Sequence, residues 1–338
     1  MYTVPPSTLV TGAGGFIGGH LVRALLQRGH QVRAVDVKPI QEWDQCFPEA
    51  ENLVRDLKYL QNCREAAAGV NEVYNLAADM GGIGFIEKYK AACMLSVLIS
   101  THMLIAASEA GVERYFYSSS ACVYAAGKQD RTDEVELREA DAYPAMPEDG
   151  YGWEKLFAER MARHFREDYG LTTRVARYHN VYGPNGAWQG GREKAPAAIC
   201  RKIAIAKLTG RDSIEIWGDG EQTRSFMYVD DCVEGTIAIA GGHVAEPLNL
   251  GSAELVTINR LVDIVEEIAG VELRRDYKLD APQGVRGRSS DNTLIRAEFE
   301  WEPSTSLRDG LAVTYPWIER QVAMQLAGKA EASYRLPA

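Results

Sequence analysis

Two pairs of residues have types and spacings that can move protons. The first pair, Tyr151 and Lys155, lies four residues apart at a predicted helix start, so both side chains share one helix face. An ammonium beside a phenol favours the phenolate, which predicts a lowered pKa for Tyr151 and a usable acid or base. A Tyr-x-x-x-Lys pair alone is also common on exposed helices, so the surrounding sequence must decide.

The second pair is Cys122 and Lys194. A thiolate can remove a proton from a carbon beside a ketone, and Lys194, which follows Gly190-Gly191 and precedes a Pro-started helix, can donate one from the opposite face. Inversion at carbon needs two such groups, because a single base only returns the proton to the same face. Cys122 taken singly is more often a small buried apolar residue.

A glycine-rich loop precedes these residues in the chain. Gly12, Gly15 and Gly18 are spaced by three, directly after an apolar strand, and Phe16 and Ile17 open the following helix. Such a loop lets backbone N–H groups approach a pyrophosphate at the helix start. The spacing departs from Gly-x-Gly-x-x-Gly, since Ile17 stands where the last glycine would be. In this strand–loop–helix context the loop predicts a dinucleotide site.

Acidic and small residues at later strand ends complete the predicted cofactor site. Asp36 lies about 20 residues beyond the loop, where a carboxylate accepts hydrogen bonds from a ribose and repels a 2′-phosphate, which favours NAD over NADP. The nearby Lys38 weakens this preference, and Asp36 can also be read as a solvated acid at a strand end. Asp56 is expected to contact adenine, and the small side chain of Ala77 to let the cofactor pass close to the backbone.

The elements that must position these residues alternate between strand and helix. This alternation predicts a Rossmann-type α/β fold with a doubly wound parallel sheet, because parallel neighbours need crossover connections. Strands are predicted at 7–11, 31–36, 52–56, 72–76, 114–118 and 172–178, and helices at 16–27 and 151–168. The predicted domains are an NAD-binding domain at 1–180, a smaller α/β lobe for the substrate at 181–330, and a loose tail at 331–338. Strands or helices from the C-terminal half are expected to return to the NAD-binding domain.

The composition argues against several functional classes. With 37 Lys and Arg against 47 Asp and Glu, the net charge of −10 disfavours a nucleic-acid binder. None of the six cysteines forms a Cys-x-x-Cys pair, and the histidines lack ligand spacing, so no metal site is predicted. The N-terminal segment has no secretion signal, and we expect a cytoplasmic protein. Residues 91–108 carry no charge, and we expect a buried or subunit-contact helix there rather than a membrane span.

The chain resembles the extended short-chain dehydrogenase/reductases that act on nucleotide sugars, and among them the family of GDP-mannose 3,5-epimerases. The first resemblance rests on the glycine loop, Ser118-Ser119-Ser120 and the Tyr151–Lys155 pair. The second extends over nearly the whole chain and rests on separated blocks in the same order, at residues 77–86, 119–124, 191–196, 220–226 and 284–292. Departures are modest: Ile83 stands where that family often has Met, and the segment 202–217 is a few residues longer.

The resemblance implies an isomerase that oxidises C4 of GDP-mannose with tightly held NAD, inverts C3 and C5, and returns the hydride. In such an enzyme Tyr151 and Lys155 perform the redox step, Ser120 binds the same substrate oxygen as Tyr151, and Cys122 and Lys194 are the acid/base pair. The products would be GDP-L-galactose and GDP-L-gulose, and a homodimer is expected. The implied substrate contacts are Gly81, Ser120, Ala121, Cys122, Asn180, Glu193, Lys194, Ala195, Lys202, Gln222, Thr223, Arg224 and Arg288.

Two alternatives remain open at this stage. A nucleotide-sugar 4-epimerase or dehydratase would share the redox residues, although residues 118–124 carry no carboxylate, which a dehydratase or decarboxylase would use there. A non-catalytic NAD-sensing module would share the fold, but it would have no need of the Tyr151, Lys155, Cys122 and Lys194 set. Arginine suits the diphosphate at Arg224 and Arg288, because its planar fork binds paired oxygens, although residues 286–288 can also be read as a solvated turn.

Overall fold

The computed structural model describes residues 7–130, 132, 136–281 and 284–334. The strands are β1 Ser7–Thr11, β2 Gln31–Asp36, β3 Glu51–Val54, β4 Glu72–Asn75, β5 Arg114–Ser120, β6 Glu136–Leu137, β7 Thr173–Tyr178, β8 Val181–Tyr182, β9 Ser213–Trp217, β10 Thr223–Ser225, β11 Met227–Tyr228, β12 Leu248–Leu250, β13 Leu255–Thr257, β14 Arg274–Lys278 and β15 Gly287–Ser290. The helices are α1 Phe16–Gln27, α2 Leu60–Ala67, α3 Ile83–Lys88, α4 Lys90–Met94, α5 Ser96–Glu109, α6 Tyr151–Tyr169, α7 Ala195–Thr209, α8 Val229–Gly241, α9 Ile258–Ala269, α10 Thr293–Phe299 and α11 Leu307–Tyr334.

The central sheet has seven strands in the order β12-β7-β5-β4-β1-β2-β3, and every neighbouring pair is parallel. The predicted doubly wound parallel sheet is therefore confirmed. The direction of winding reverses at β1, which pairs with β2 on one side and β4 on the other. Ligands of such sheets bind at the carboxyl ends of the strands near this reversal.

Alternating side chains of the sheet bury two separate cores, one on each face. On one face Leu9 and Tyr115 pack with residues of α2, α5 and α6. On the other face Val10 and Phe116 pack with residues of α1, α7, α8, α9 and α11. Because successive strand residues point to opposite faces, near-continuous apolar runs such as Leu9-Val10 are the expected pattern of a sheet covered on both sides.

The second half of the chain builds most of the smaller lobe over the strand ends. A four-stranded sheet has the order β13-β10-β15-β6, and β9 pairs with β14 in a separate parallel ribbon. Two strands cross the predicted boundary at residue 180: β6 joins the lobe from the first half, and β12 joins the central sheet from the second half. The predicted tail overlaps the end of α11, and residues 335–338 lie outside the described residues.

Pairing shifts several predicted strand ends. The strand predicted at 114–118 continues to Ser120, because Ser119 and Ser120 remain in register with Arg177 and Tyr178 of β7. The strand predicted at 52–56 runs from Glu51 only to Val54, where its partner β2 ends. The extension of β5 brings Ser120 to the rim of the sheet, directly before the short 3₁₀ turn Ala121–Val123.

The uncharged segment 91–108 forms two helices, not one, since α4 and α5 meet at Leu95. By length and composition alone, Lys90–Glu109 is the one stretch among the described residues that could cross a membrane. One face of α5 carries Met103, Leu104 and Ala107 into the core against α2 and α6, as in a core helix of a globular protein. Met94, Leu95 and Leu98 stay exposed on the other side. The cytoplasmic location stays a prediction.

Candidate active site

The glycine loop lies at the point where the winding of the sheet reverses. Gly12 has a φ of +69°, and a Cβ atom there would lie 3.0 Å from the amide nitrogen of Ala77, which follows β4. A Cβ atom on Gly18 would lie 2.1 Å from the carbonyl oxygen of Gly12. The loop therefore folds tightly onto the first turn of α1 only with glycine at these positions, as close backbone approach to a ligand requires.

Asp36 reaches back from the end of β2 to this loop. Its Oδ2 atom accepts a hydrogen bond from the Gly14 amide at 3.0 Å, and its Oδ1 atom accepts one from the Lys38 amide at 3.0 Å. Each carboxylate oxygen keeps a second lone pair for a ribose hydroxyl. The Lys38 ammonium donates a hydrogen bond to the Gly14 carbonyl at 2.6 Å and lies 3.8 Å from the Asp44 carboxylate. Because both groups already partner this ammonium, the arrangement does not favour binding of a 2′-phosphate by Lys38.

The other predicted cofactor residues lie at neighbouring strand ends. Ala77 packs against Gly12, and its amide donates to the Thr11 hydroxyl at 3.2 Å. Asp56, two residues past the end of β3, accepts from the Lys58 amide at 3.0 Å. Contact of Asp56 with adenine stays a prediction.

Cys122 lies in the turn that follows β5, beside the start of α6. A Cβ atom on Gly152 would lie 2.4 Å from the Cys122 carbonyl oxygen, so this glycine lets the first turn of α6 approach the turn closely. The Ser120 hydroxyl accepts a hydrogen bond from the Cys122 amide at 3.2 Å and also bonds the Tyr151 side chain. The sequence-predicted residues Ser120, Cys122 and Tyr151 are thus brought together.

The predicted lowering of the Tyr151 pKa by Lys155 is wrong for this arrangement. Burial raises the pKa of the Tyr151 phenol well above its usual value, the Cys122 sulfur adds to the rise, and the Ser120 hydrogen bond opposes it. Burial likewise lowers the pKa of the Lys155 ammonium. That ammonium donates to the Ser118 carbonyl at 3.0 Å and lies 5.5 Å from the centre of the Tyr151 ring. The sequence pattern could not weigh the loss of hydration on burial.

Lys194 directly precedes α7, as its N-cap residue, with Pro196 in the first turn. Burial lowers the pKa of its ammonium, Cys122 opposes the shift, and Arg288 adds to it. Within the part of the chain that the structure describes, its ammonium makes no ion pair. An amine with a lowered pKa is a usable proton donor and acceptor near neutral pH. Cys122 and Lys194 therefore act on each other electrostatically in one site.

Arg288 lies directly beside Cys122. Its Nη1 is 3.7 Å from the Cys122 sulfur, and its Nε donates to the Gln129 side-chain oxygen at 2.6 Å. Arg288 pairs in register with Arg224 on the neighbouring strand β10. Burial, together with the charges of Arg288 and Arg286, lowers the pKa of Arg224 to about 9. Two arginines held together in a buried site favour a polyanionic ligand, which is the property expected of a diphosphate site.

Each of the remaining predicted substrate residues contacts other parts of the described chain. Three of them are placed by backbone or packing: Gly81 packs against Phe85 and Arg192, Ala121 is buried, and Ala195 begins α7. Four donate a side-chain hydrogen bond to a backbone carbonyl: Asn180 to Ser225, Lys202 to Glu215, Gln222 to Trp217 and Thr223 to Thr132. The Glu193 carboxylate accepts hydrogen bonds from the Gly191 amide and the Arg201 guanidinium. Contact of these residues with a sugar nucleotide stays a prediction.

Three residues that the sequence did not single out shape the site. Gln129 holds Arg288, Trp43 covers the glycine loop so closely that a Cβ atom on Gly14 would lie 2.6 Å from its ring, and Glu154 is buried beside Lys155. Only Glu154 carried a signal in the sequence, namely its place inside the Tyr-x-x-x-Lys segment.

Residues 8–251 match the NAD dependent epimerase/dehydratase family. The chain belongs to this family. The protein is 47% identical over 315 residues to GDP-mannose 3,5-epimerase 1 of Oryza sativa subsp. japonica, covering 93% of this chain and 82% of that protein. It is 44% identical over 326 residues to GDP-mannose 3,5-epimerase of Arabidopsis thaliana, covering 96% of this chain and 85% of that protein.

Solved structures of other proteins share the fold. A UDP-glucose 4-epimerase of Thermotoga maritima with UDP-glucose superimposes with a TM-score of 0.84 at 25% identity, covering 94% of this chain and 99% of that one. MoeE5 in complex with UDP-glucuronic acid and NAD superimposes with a TM-score of 0.77 at 30% identity, covering 93% of this chain and 99% of that one. The predicted fold class and the predicted membership of the family are confirmed.

NAD is the cofactor of this family of enzymes, and the residues of this chain fit it. The cradle formed by Gly12, Gly15 and Gly18 is one that a Cβ atom would fill, and the buried Asp36 carboxylate lies beside it at the carboxyl edge of the sheet. Lys155 and Tyr151 lie at the same edge, at the start of α6. The predicted preference for NAD agrees with the placement of Asp36.

Proposed function

We propose that the protein epimerises GDP-D-mannose at C3 and C5, giving GDP-L-galactose and GDP-L-gulose through a transient 4-ketone. The observation that carries the proposal is that Cys122, which lies beside the Ser120–Tyr151 pair, is 3.7 Å from Arg288 and acts electrostatically on Lys194. A 4-epimerase needs the Ser–Tyr–Lys machinery but no thiol and amine acting on the carbons next to C4. The two plant relatives of 44–47% identity carry the same activity in their names.

Tyr151 starts the cycle by taking the proton of the C4 hydroxyl, which Ser120 orients. The glycine loop and Asp36 would hold NAD, which would supply the hydride acceptor for C4 and the hydride that is returned there. Lys155 lies one helical turn from Tyr151 on the same face of α6, and its positive charge opposes the rise that burial causes in the pKa of the Tyr151 phenol. The resulting ketone acidifies the protons on both C3 and C5, because a carbanion on either carbon delocalises into the same carbonyl.

Cys122 and Lys194 then invert the two carbons. At each carbon the thiolate removes a proton from one face of the sugar and the ammonium donates one to the other face. Proton exchange with solvent then returns Cys122 to the thiolate and Lys194 to the ammonium before the second carbon is inverted. Arg288 holds positive charge 3.7 Å from the sulfur and stabilises the anion that forms there. Reduction at C4 gives GDP-L-galactose after both inversions, or GDP-L-gulose when only C5 is inverted.

Proton NMR of GDP-mannose in D₂O tests the proposal. The wild-type protein is expected to incorporate solvent deuterium at C3 and C5 and to form the two products. Cys122→Ser and Lys194→Ala are expected to keep bound NAD and to lose deuterium incorporation at carbon. Undiminished incorporation in either variant would contradict the acid/base assignment.

The rival functions predict different outcomes of the same experiment. A 4-epimerase would change the C4 configuration without placing deuterium at C3 or C5. A dehydratase would lose water from the sugar, which the mass of the product reveals. An NAD-sensing module would bind NAD and leave GDP-mannose unchanged.

We also propose that the protein forms a homodimer through α5 and α6. Among the described residues, the apolar side chains of Met94, Leu95 and Leu98 are exposed at the end of α4 and start of α5, and Trp153 and Phe157 are exposed on α6, which packs against both helices. A patch of this kind on neighbouring helices is typical of an isologous interface.

The oligomeric state is tested by light scattering after size-exclusion chromatography. Leu98→Glu is expected to give monomers, because it places a charge in the apolar patch. Val313→Glu is the matched control, since Val313 is also exposed but lies on α11. A wild-type protein that is monomeric at tens of micromolar would refute the proposed interface.

A further inference from the structure

Glu154 is a buried acid next to the lysine of the redox pair. Both Glu154 and Lys155 are only 2% exposed, and the Glu154 Oε2 atom lies 3.9 Å from the Lys155 ammonium. Oε2 has no hydrogen-bond partner within the described residues. A buried carboxylate oxygen without a donor carries a large desolvation cost, so its place beside an ammonium calls for an explanation.

The other carboxylate oxygen is anchored by two different elements. The Ser100 hydroxyl of α5 donates to Oε1 at 3.2 Å, and the Tyr117 hydroxyl of β5 donates to it at 3.3 Å. These bonds orient the carboxylate, and they leave Oε2 on the side of Lys155. The Lys155 ammonium in turn donates to the Ser118 carbonyl and lies 4.7 Å from the centre of the Tyr117 ring.

No second carboxylate within the described ranges comes as close to the Lys155 ammonium. Glu159, one turn further along α6, is held by both forks of the Arg177 guanidinium at 2.8 and 2.9 Å. The other titratable groups that act on Glu154 or Lys155 are Cys93 of α4, Tyr115 and Tyr117 of β5, Cys122 of the following turn and Tyr151 of α6. These are neutral thiols and phenols unless they ionise. Glu159 also raises the pKa of Lys155, but Arg177 already pairs with it, so Glu154 is the nearer counter-charge of Lys155 and, among the residues that the structure describes, has no cation of its own besides it.

We propose that Glu154 is a positioning residue whose carboxylate keeps Lys155 in its ammonium form inside the closed site, so that Lys155 can donate hydrogen bonds to the ribose of NAD. This inference rests on the proposed redox role of Tyr151 and Lys155 and adds a residue to it. Burial lowers the pKa of Lys155, and the Glu154 carboxylate opposes this shift. Burial raises the pKa of Glu154, and the Lys155 ammonium opposes that shift. Each charge therefore stabilises the other.

The sign of the expected pH effect follows from this pairing. Removing the carboxylate lowers the pKa of Lys155 further, so the ammonium is lost as the pH rises and is regained as it falls. Glu154→Gln keeps the shape and one hydrogen-bond acceptor while removing the charge. Its binding of NAD is therefore expected to weaken with rising pH, whereas a packing defect would weaken binding equally at every pH.

The experiment is calorimetric titration of the full-length protein with NAD⁺ between pH 6 and pH 9. Wild-type affinity is expected to stay level, and Glu154→Gln is expected to bind about tenfold more weakly at pH 8 and to recover as the pH falls to 6. Glu154→Asp, which retains the charge, is the matched control and is expected to stay level. In a Lys155→Met background, Glu154→Gln is expected to change the affinity no further.

A Glu154→Gln profile parallel to that of the wild type overturns the role of Glu154. Should Glu154→Gln fail to fold, ¹³C NMR of the wild-type carboxyl groups decides, because the inference requires an ionised Glu154 at pH 7 and a protonated one overturns it. A wild-type protein that does not bind NAD⁺ overturns the cofactor assignment, and this inference with it. The two failures are thereby distinguishable.

Discussion

A methyl group at Gly18 is expected to weaken NAD binding and, by a somewhat smaller amount, the stability of the fold. In Gly18→Ala the new Cβ atom would lie 2.1 Å from the carbonyl oxygen of Gly12, about 1 Å closer than a normal contact allows. That oxygen must move, and it also accepts the hydrogen bond from the Gly15 amide at 3.1 Å that closes the loop. The substitution therefore opens the cradle that the pyrophosphate would occupy.

The size of the effect can be worked from these contacts. Forcing an extra methyl group into a packed site costs about 1–3 kcal/mol, and losing the loop hydrogen bond costs about 1 kcal/mol more. Replacing a helical glycine by alanine returns about 0.5–1 kcal/mol to the folded state, which offsets part of the loss in stability but none of the distortion of the loop. At 1.4 kcal/mol per tenfold change, the combined cost of about 2–4 kcal/mol in the loop corresponds to NAD⁺ binding weakened by roughly thirtyfold to several hundredfold.

Calorimetric titration of NAD⁺ into Gly18→Ala measures this loss, with urea unfolding alongside it. The matched control is Gly19→Ala, one residue further along α1, where the added Cβ atom would lie 3.0 Å from the Gln45 side chain and needs a shift of only a few tenths of an ångström. This control should bind NAD⁺ within a factor of about three of the wild type. If both variants bind alike, the steric account of the loop is wrong.

Three further outcomes are expected. Glu159→Gln leaves a buried guanidinium without its counter-charge and should lower the unfolding free energy by about 3–5 kcal/mol in urea, whereas Glu246→Gln, in an exposed pair, should cost under about 1 kcal/mol. Burial lowers the pKa of His179 to about 3, so on acidification the unfolded chain binds a proton at this histidine before the folded chain does. The unfolding free energy should therefore fall as the pH drops below about 6.5, by roughly 2 kcal/mol at pH 5, and urea unfolding should show a smaller loss in His179→Gln. Arg288→Lys keeps the charge, but a lysine side chain cannot contact both the Cys122 sulfur and the Gln129 side-chain oxygen. Deuterium incorporation should therefore slow about tenfold or more while NADH formation changes less, and equal slowing of both steps would contradict this.

Local sequence patterns accounted for the elements and for the redox residues. The apolar runs predicted the central strands to within a few residues, because a strand buried on both faces needs apolar side chains in either direction. The Gly-rich loop, Asp36 and the Tyr151–Lys155 spacing depend on residues close in the chain, so their local arrangement was readable without the fold. Strand ends were less certain, because pairing with a neighbour, as at Ser120, decides where a strand stops.

Contacts between distant segments required the tertiary structure. The sequence named Arg288, but not that it lies against Cys122, 166 residues away, with Gln129 holding its other side. Nor did it reveal that burial raises the pKa of the Tyr151 phenol instead of lowering it. Hydration is lost only when many segments close around a group, so the direction of such shifts cannot be read from neighbours in sequence.

By itself the sequence determined the Rossmann-type sheet, the cofactor loop and the identity of the groups that can carry protons, because these depend on side-chain type and on short spacings. Only the tertiary structure decided which of those groups touch, which are dehydrated, and that Glu154 stands as the counter-charge of Lys155. Charge and distance in a dry interior set the strength of an acid or base, and both are properties of the folded chain.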